Sequence, residues 1–295
     1  MTRLFTPQKP SNKTVSLVLG SGGARGIAHI GVIQCLEEFG YQITSISGCS
    51  MGAVVGGIYA AGKLKTYELW LRKLTRGQVI SLMDFSFNRG GLVKGNKVIK
   101  TMIELVGNHP IEELAIPYTA VATDILQFKE VWIQKGPLFK AIRASMSLPL
   151  LMTPYAHHES LLVDGGVLNP VPIAPLFSEP SDMTIAVNLC GPNDPYLEPS
   201  APDKIQKFQL FDFFIKKPGT SHPLDELGFY DITTRAFEAM QTSIARQKLA
   251  AYPPDLVIEL PRNTCKTLEF YRANELIDIG YQKTFKFLNN LKNFY

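Results

Sequence analysis

Two glycine-rich turns, each lying between a short apolar strand and a helix, constrain the fold of this chain more than any other feature. Residues 15–19 are an apolar run that ends at glycines, and residues 27–39 then carry apolar side chains at helical spacing. A second strand at 43–47 is followed by a helix of small residues at 51–61. Strands that alternate with helices at this pitch predict βαβ units and an α/β fold with a mainly parallel sheet.

The rest of the chain continues this alternation. Further strands are predicted at residues 117–123, 128–133, 161–163, 183–189 and 255–260, and further helices at 67–74, 96–106, 137–145, 228–251 and 271–291. Residues 85–95 have no pattern that assigns them. The helix at 228–251 is amphipathic, with these residues along one face: Phe229, Ile232, Ala236, Met240 and Ile244.

The domain organisation follows from the place where the alternation is interrupted. From Gly191 to about residue 227 the chain is rich in proline and aromatic residues and has no evident periodicity. The strand and the helix beyond this stretch most simply complete the first sheet. We therefore predict a polar N-terminal tail at 1–13 and a single domain at 14–295, with an irregular insertion at about 191–227.

Composition excludes several classes of protein. Apolar residues make up 45% of the chain and charged residues 19%, as in ordinary globular proteins, and a net charge of +4 gives no basic face for nucleic acid. The longest apolar stretch, residues 53–61, is far shorter than the ~20 residues that span a bilayer, and residues 1–13 contain no signal-peptide core. The four cysteines are widely spaced and form no disulfide or metal motif: Cys35, Cys49, Cys190 and Cys265. These features predict a cytoplasmic, reduced protein without a metal site.

The pentapeptide Gly48-Cys49-Ser50-Met51-Gly52 lies between a predicted strand and a predicted helix, the context in which G-x-S-x-G marks a nucleophile elbow. In such a turn the serine has strained backbone geometry, and the flanking glycines remove side chains that would collide. The following helix directs free N–H groups toward the site, which suits a developing negative charge. Ser50 is thus a candidate nucleophile; the alternative is a tight turn without chemistry.

The other glycine-rich turn, residues 20–26, also lies between a strand and a helix. It contains neither the dinucleotide-binding pattern nor the P-loop pattern, which disfavours a phosphate site. The N–H groups of Gly22 and Gly23 would suit an oxyanion hole for a carbonyl that Ser50 attacks, and a purely structural turn is the alternative. Arg25 has two interpretations, an anionic head-group ligand or a support that hydrogen-bonds loop carbonyls, of which the second is favoured.

A nucleophilic serine needs a base, and the histidines are poorly placed for that role. They are His29 on the first helix, where packing is expected, and His109, His157, His158 and His222 in turns and loops. Only His222 follows Asp164 in the chain order of an α/β-hydrolase triad, and it follows no strand.

Asp164 is better placed than any histidine. It ends a short apolar strand and precedes Gly165 and Gly166, so its carboxylate is expected at the carboxyl edge of the sheet, where α/β proteins keep their sites. A desolvated carboxylate that is hydrogen-bonded to a serine hydroxyl can act as its base. This predicts a dyad of Ser50 and Asp164; the alternative is an aspartate that caps a turn.

Together these motifs resemble the patatin-like phospholipases, in their bacterial cytoplasmic branch. The matching segments are Gly22-Gly23-Ala24-Arg25-Gly26, Ala28-His29-Ile30-Gly31-Val32, Gly48 to Gly52, Arg143-Ala144-Ser145 with Pro149, Asp164-Gly165-Gly166 with Asn169 to Pro172, and Pro254 to Ile258. They cover about residues 14–290 in the right order. The chain departs from the family at Ser21, where many members have a third glycine, and at Leu150-Leu151, where a small residue and an aromatic are usual; the second departure affects the shape of the acyl pocket.

The resemblance implies a three-layer α/β/α sandwich and a serine acyl hydrolase of the phospholipase, lysophospholipase or carboxylesterase type, with no cofactor. The implied site residues are the catalytic pair Ser50 and Asp164, the oxyanion donors Gly22 and Gly23, the loop supports Arg25 and Gly26, the elbow glycines Gly48 and Gly52, and Gly165 and Gly166 after the aspartate. The alternatives are an acyltransferase with the same dyad and a non-catalytic lipid-binding module.

An aromatic cluster in the predicted insertion suggests a partner other than the acyl-ester substrate. Six large apolar residues lie within residues 208–215, and lysines stand at 204, 207, 216 and 217 around them. Such a segment suits a peripheral membrane anchor or a lid, whereas a packed loop or a homodimer contact would explain the same residues. The sequence leaves these alternatives open.

Overall fold

The computed structural model of the protein describes residues 12–85, 93–197 and 229–292. Its strands are β1 Thr14–Leu19, β2 Gln42–Cys49, β3 Tyr118–Asp124, β4 Lys129–Ile133, β5 Tyr155–His157, β6 Ser160–Asp164, β7 Met183–Gly191 and β8 Leu256–Pro261. Its α-helices are α1 Ala28–Glu38, α2 Met51–Ala60, α3 Leu64–Leu71, α4 Arg76–Leu82, α5 Asn96–Val106, α6 Leu138–Ser145, α7 Phe229–Ala251 and α8 Ala273–Lys292.

The strands form one mixed, mainly parallel sheet. Five parallel strands lie in the order β3-β2-β1-β7-β8. β4 turns back antiparallel to β3, and β6, followed by β5, pairs antiparallel with the last residues of β3. The predicted α/β fold with a mainly parallel sheet is confirmed, and the late strand β8 completes that sheet as expected.

Helices cover both faces of the sheet. On β1, Leu17 and Leu19 pack into the core that includes residues of α1, α2 and α8, whereas Val18 points to the opposite face. There Val18 and Ala186 contact the cluster that contains Ala245 of α7. Because side chains alternate along a strand, a strand buried on both faces needs an apolar layer on each side. The result is a sandwich of three layers.

Three elements differ from the sequence prediction. The sequence does not predict α4 or β5. α4 has a single buried residue, Val79, and β5 has only three residues, so neither carries a periodic pattern. On α7, the predicted apolar face does not pack on the sheet, since Ile232 and Met240 are 56% and 57% exposed. Among the residues of this helix whose side chains the structure describes, the buried ones are Gln241 and Ala245, because part of its inner side lies against polar loops.

The predicted insertion falls largely outside the described residues. β7 extends to Gly191, and residues 192–197 follow it without helix or strand. The aromatic cluster at 208–215 and His222 lie in the range 198–228, which is outside the described part of the chain, as is most of the predicted tail.

Candidate active site

Ser50 occupies a sharp turn between β2 and α2. Its backbone has φ 56° and ψ −123°, a left-handed conformation that is rare for residues other than glycine. The turn depends on Gly52, because a Cβ at that position would lie 2.0 Å from the carbonyl oxygen of Leu19. Gly48 lies directly against the backbone of Gly52. The sequence between a buried strand and a helix thus produces the strained turn expected for an elbow.

Ser145, at the end of α6, holds the backbone of this turn. The N–H of Ser50 donates to Ser145 Oγ at 2.9 Å, and the Ser145 hydroxyl donates to the carbonyl of Val121 at 2.6 Å. All three residues are buried. The position of Ser50 is therefore fixed relative to β3 through one hydroxyl group.

β3 also aligns Asp164 with the same turn. Val121 pairs with Cys49 at the end of β2, and the next residue, Ala122, pairs with Asp164 at the end of β6. β2 and β6 therefore lie on the same edge of β3, the edge opposite β4, because Val121 and Ala122 also pair with β4. Since β6 runs antiparallel, the carboxyl ends of β2 and β6 meet head to head. The backbone pairing thus brings the candidate nucleophile and Asp164 together.

The carboxylate of Asp164 is fully buried. Its Oδ1 accepts the N–H of Gly166 at 2.7 Å and lies 3.7 Å from the thiol of Cys49. Oδ2 is buried and has no hydrogen-bond partner among the described residues. Burial raises the pKa of Asp164 to about 6, and its interactions with Ser50, Gly166 and Cys49 oppose this rise. In this conformation no hydrogen bond joins Ser50 Oγ to Oδ2.

The glycine loop is held at both ends and open in its middle. The N–H groups of Gly20, Ser21 and Ala24 donate to the carbonyls of residues 187, 170 and 267, at 3.1, 2.8 and 2.9 Å. Within the described part of the chain, the N–H groups of Gly22 and Gly23 donate to no acceptor. Gly23 has a φ of 55° and lines the same cavity as Ser50. This arrangement leaves two backbone donors available next to the nucleophile turn.

The side chains of Arg25 and His29 both stabilise the position of the glycine loop. The guanidinium of Arg25 is buried, donates to the carbonyl of Arg262 at 3.1 Å, and pairs with Glu238 at 3.4 Å. His29 Nε2 lies 2.8 Å from the carbonyl of Gly20, so this nitrogen carries the proton. Burial lowers the pKa of His29 to about 4, which keeps the imidazole neutral at physiological pH. The Arg25 side chain thus joins the glycine loop to the segment after β8 and to α7, whereas His29 contacts the loop itself at Gly20.

The other described histidines lie away from the serine. His109 follows α5, and its Nε2 lies 3.1 Å from the carbonyl of Val106. His157 and His158 are exposed at the β5–β6 turn and pack edge to face on each other. None of these three hydrogen-bonds to Ser50 or Asp164.

An apolar cavity of about 140 Å³ opens beside Ser50. It is formed mainly by α2, α3, α4 and α5 and by the segments after α6 and β8. Five of the eight methionines of the chain line it: Met51, Met83, Met102, Met146 and Met152. The aromatic lining residues are Tyr67, Trp70 and Phe270. Such a cavity suits a hydrocarbon chain, and the flexible methionine side chains adapt to its shape.

Several residues that build the site were not identified from the sequence alone. The amide of Gln241, buried on α7, donates to Ser21 Oγ at 3.4 Å and packs against Gly166, where a Cβ would lie 2.2 Å from Nε2. A buried polar residue on a mixed helix gives no local signal of this contact. Ser145 was visible as part of the R-A-S motif, but its role depends on α6 packing against β3.

The described residues contain no cluster of His, Cys, Asp and Glu side chains that could hold a metal ion. None of the described helices is long and apolar enough to cross a membrane.

The sequence model of a family described as patatin-like phospholipase matches residues 17–177, which include the glycine loop, the serine turn and Asp164. The chain belongs to the patatin-like phospholipase family. The predicted family and the prediction of an ester hydrolase are thereby confirmed.

Relatives of this patatin-like phospholipase include bacterial and fungal proteins. An uncharacterized NTE family protein of Mycobacterium bovis is 38% identical over 92% of this chain and 90% of its own length. Lysophospholipase nte1 of Neurospora crassa is 30% identical over 95% of this chain, which corresponds to 18% of that larger protein. Among solved structures, VipD from Legionella pneumophila matches 95% of this chain and 67% of its own with a TM-score of 0.47 and 14% identity.

Proposed function

We propose that this protein hydrolyses acyl esters of lipids with Ser50 as nucleophile and Asp164 as its base. The observation that carries the proposal is the pairing of β3 with both partners, which places the strained serine turn beside a buried carboxylate with a free oxygen. A buried carboxylate with a raised pKa is a stronger base than an exposed one, and it remains ionised at neutral pH. Both properties suit proton removal from a serine hydroxyl.

In the first half-reaction, Ser50 Oγ attacks the ester carbonyl carbon while its proton passes to Oδ2 of Asp164. The oxyanion of the tetrahedral intermediate accepts hydrogen bonds from the N–H groups of Gly22 and Gly23. Removal of one such donor in other enzymes costs about 3 kcal/mol of transition-state stabilisation. The intermediate collapses when the C–O bond to the alcohol breaks, and Asp164 returns its proton to the leaving oxygen. An acyl-serine remains.

In the second half-reaction, water attacks the acyl-serine carbonyl and gives its proton to Asp164. Collapse of the new tetrahedral intermediate releases the carboxylic acid, and Ser50 takes the proton back. No histidine takes part in either half. The neutral His29 is occupied by the carbonyl of Gly20 and supports the loop that carries the oxyanion donors.

The cavity supports a substrate with a hydrocarbon acyl chain. Ser50 and Gly23 form one part of the cavity wall, and the other lining residues are almost entirely apolar. A carbonyl carbon at Ser50 would let the chain enter this cavity while the alcohol part points to solvent. The name of the fungal relative, a lysophospholipase, favours a phospholipid with one acyl chain as substrate.

The experiment is hydrolysis of p-nitrophenyl esters of graded chain length and of lysophosphatidylcholine, with the released fatty acid identified by mass spectrometry. We expect free fatty acid from the wild type and none above background from Ser50→Ala. The matched control is Ser45→Ala, which removes a buried hydroxyl that bonds to Ser16 at 2.8 Å, away from the site. Full activity of Ser50→Ala would refute the proposal, and transfer of the acyl group to added lysophospholipid would identify an acyltransferase instead.

A further inference from the structure

A buried thiol touches the carboxylate of Asp164. Cys49 is fully buried at the end of β2, and its Sγ lies 3.7 Å from Oδ1. The contact follows from the backbone, because Cys49 and Asp164 lie opposite consecutive residues of β3. An S–H group is a weak donor, but a bond to an ionised acceptor in a buried site is stronger than one between neutral groups.

The surroundings of the thiol restrict where it can turn. A Cβ at Gly165 would lie 3.1 Å from Sγ and 2.1 Å from the carbonyl oxygen of Val121, so the thiol packs directly on the residue that follows Asp164. Oδ1 of Asp164 accordingly receives two donors, the N–H of Gly166 and the thiol. Two donors on one oxygen fix the plane of the carboxylate and leave Oδ2 for the serine.

The groups that face this carboxylate are few. Cys49 is the titratable side chain that contacts the carboxylate, whereas Ser50 and the N–H of Gly166 are neutral groups. Among the described residues, no lysine, arginine or histidine forms an ion pair with Asp164. With no cation nearby, the proton affinity of the carboxylate depends on its neutral donors, so the loss of one donor has a measurable effect.

We propose that Cys49 is a positioning residue that donates its S–H to Oδ1 of Asp164, orients the carboxylate toward Ser50 and sets its strength as a base. The inference rests on the proposed role of Asp164. Burial and the neighbouring charge raise the pKa of Cys49 well above its usual value, which keeps the thiol protonated as a donor. Cys49 therefore acts through Asp164 and forms no bond to substrate.

The test is the pH dependence of kcat/KM on a short soluble ester for wild type, Cys49→Ala and Cys49→Ser. In the wild type, kcat/KM falls at low pH as Asp164 becomes protonated, and this fall is the acid limb of the profile. Loss of the donor in Cys49→Ala should move the acid limb to higher pH by about half a unit or more, because the ionised carboxylate is less well stabilised. Cys49→Ser restores a donor and should return the limb to the wild-type position or below it. The control is Cys35→Ala, which removes a buried thiol from α1 and should leave the limb unchanged.

An acid limb in Cys49→Ala that superimposes on that of the wild type would overturn the proposal, as would an equal upward shift in the Ala and Ser variants. For a variant too weakly active for kinetics, the titration of the Asp164 Cγ signal by ¹³C NMR gives the same pKa directly. If Cys49→Ala does not fold, Cys49→Ser decides alone, and a pKa above that of the wild type contradicts the proposal. Activity retained in Ser50→Ala would refute the proposed function instead, while the NMR titration still tests the thiol contact.

Discussion

The hydroxyl of Ser145 is the only described side chain that hydrogen-bonds the backbone N–H of Ser50, at 2.9 Å. The same hydroxyl donates to the carbonyl of Val121 on β3, the strand that also pairs with Cys49 and Asp164. One strand therefore sets the positions of both candidate catalytic residues. The R-A-S motif gains a physical role from this contact, since its serine connects α6 to the serine turn.

Ser145→Ala should lower both stability and activity. The variant leaves a buried N–H without an acceptor, which costs about 1–3 kcal/mol in the free energy of unfolding. It also removes the hydrogen bond that holds Ser50 in its left-handed backbone conformation, so kcat should fall by more than about tenfold. Denaturant unfolding and ester hydrolysis measure the two effects. Ser45→Ala should lose stability but keep kcat, and equal kcat values for the two variants would contradict the positioning role.

Asp164→Asn should be more stable than the wild type at pH 8. The pKa of Asp164 is about 6 in the folded protein, against 3.8 for an ordinary aspartate. Proton binding therefore stabilises the fold fully below about pH 4, and this contribution is lost as the pH rises through 6. The buried charge costs up to about 3 kcal/mol at high pH, and the amide avoids it. Unfolding at pH 8 and pH 4 checks this; an Asn variant less stable than the wild type at pH 8 would contradict it.

The sequence predicts the central part of this fold well for a physical reason. Around Ser50 and Asp164, strand ends, glycine turns and helix starts follow one another within a few residues, so local pattern determines local structure. The contacts of Gln241 and Ser145 join segments far apart in the chain, and no local pattern specifies them. α7 illustrates the same limit, because its inner side meets polar loops and the most apolar face of the helix is not the buried one.

Met102→Trp should shorten the preferred acyl chain. Met102 lies on α5, is 1% exposed and lines the cavity beside Ser50. A larger and stiffer side chain there fills space that a long acyl chain needs, so kcat/KM should fall for long esters and stay near the wild-type value for acetate and butyrate esters. Met102→Leu conserves volume and should keep the wild-type profile. Equal losses for short and long esters in Met102→Trp would show that the cavity does not hold the chain.

Replacement of Phe211 and Phe214 by serine tests the aromatic cluster of the 191–227 segment. If the cluster anchors the protein to a membrane, the variant should stay folded, hydrolyse short esters normally and lose co-sedimentation with anionic vesicles. If the cluster is packed or forms a dimer contact, two such truncations should cost several kcal/mol and lower the melting temperature or split the dimer. Unchanged vesicle binding by a well-folded variant would exclude the anchor.

The most direct test of the dyad compares kcat of the wild type, Ser50→Ala, Asp164→Ala and the double variant on a short soluble ester, with folding checked by circular dichroism. Because the two residues act as a unit, each single variant should lose nearly all activity and the double variant should be no worse. His222→Ala should keep turnover near that of the wild type. A kcat for Asp164→Ala within about tenfold of the wild type, or a loss above about a hundredfold for a folded His222→Ala, would contradict the Ser50–Asp164 mechanism.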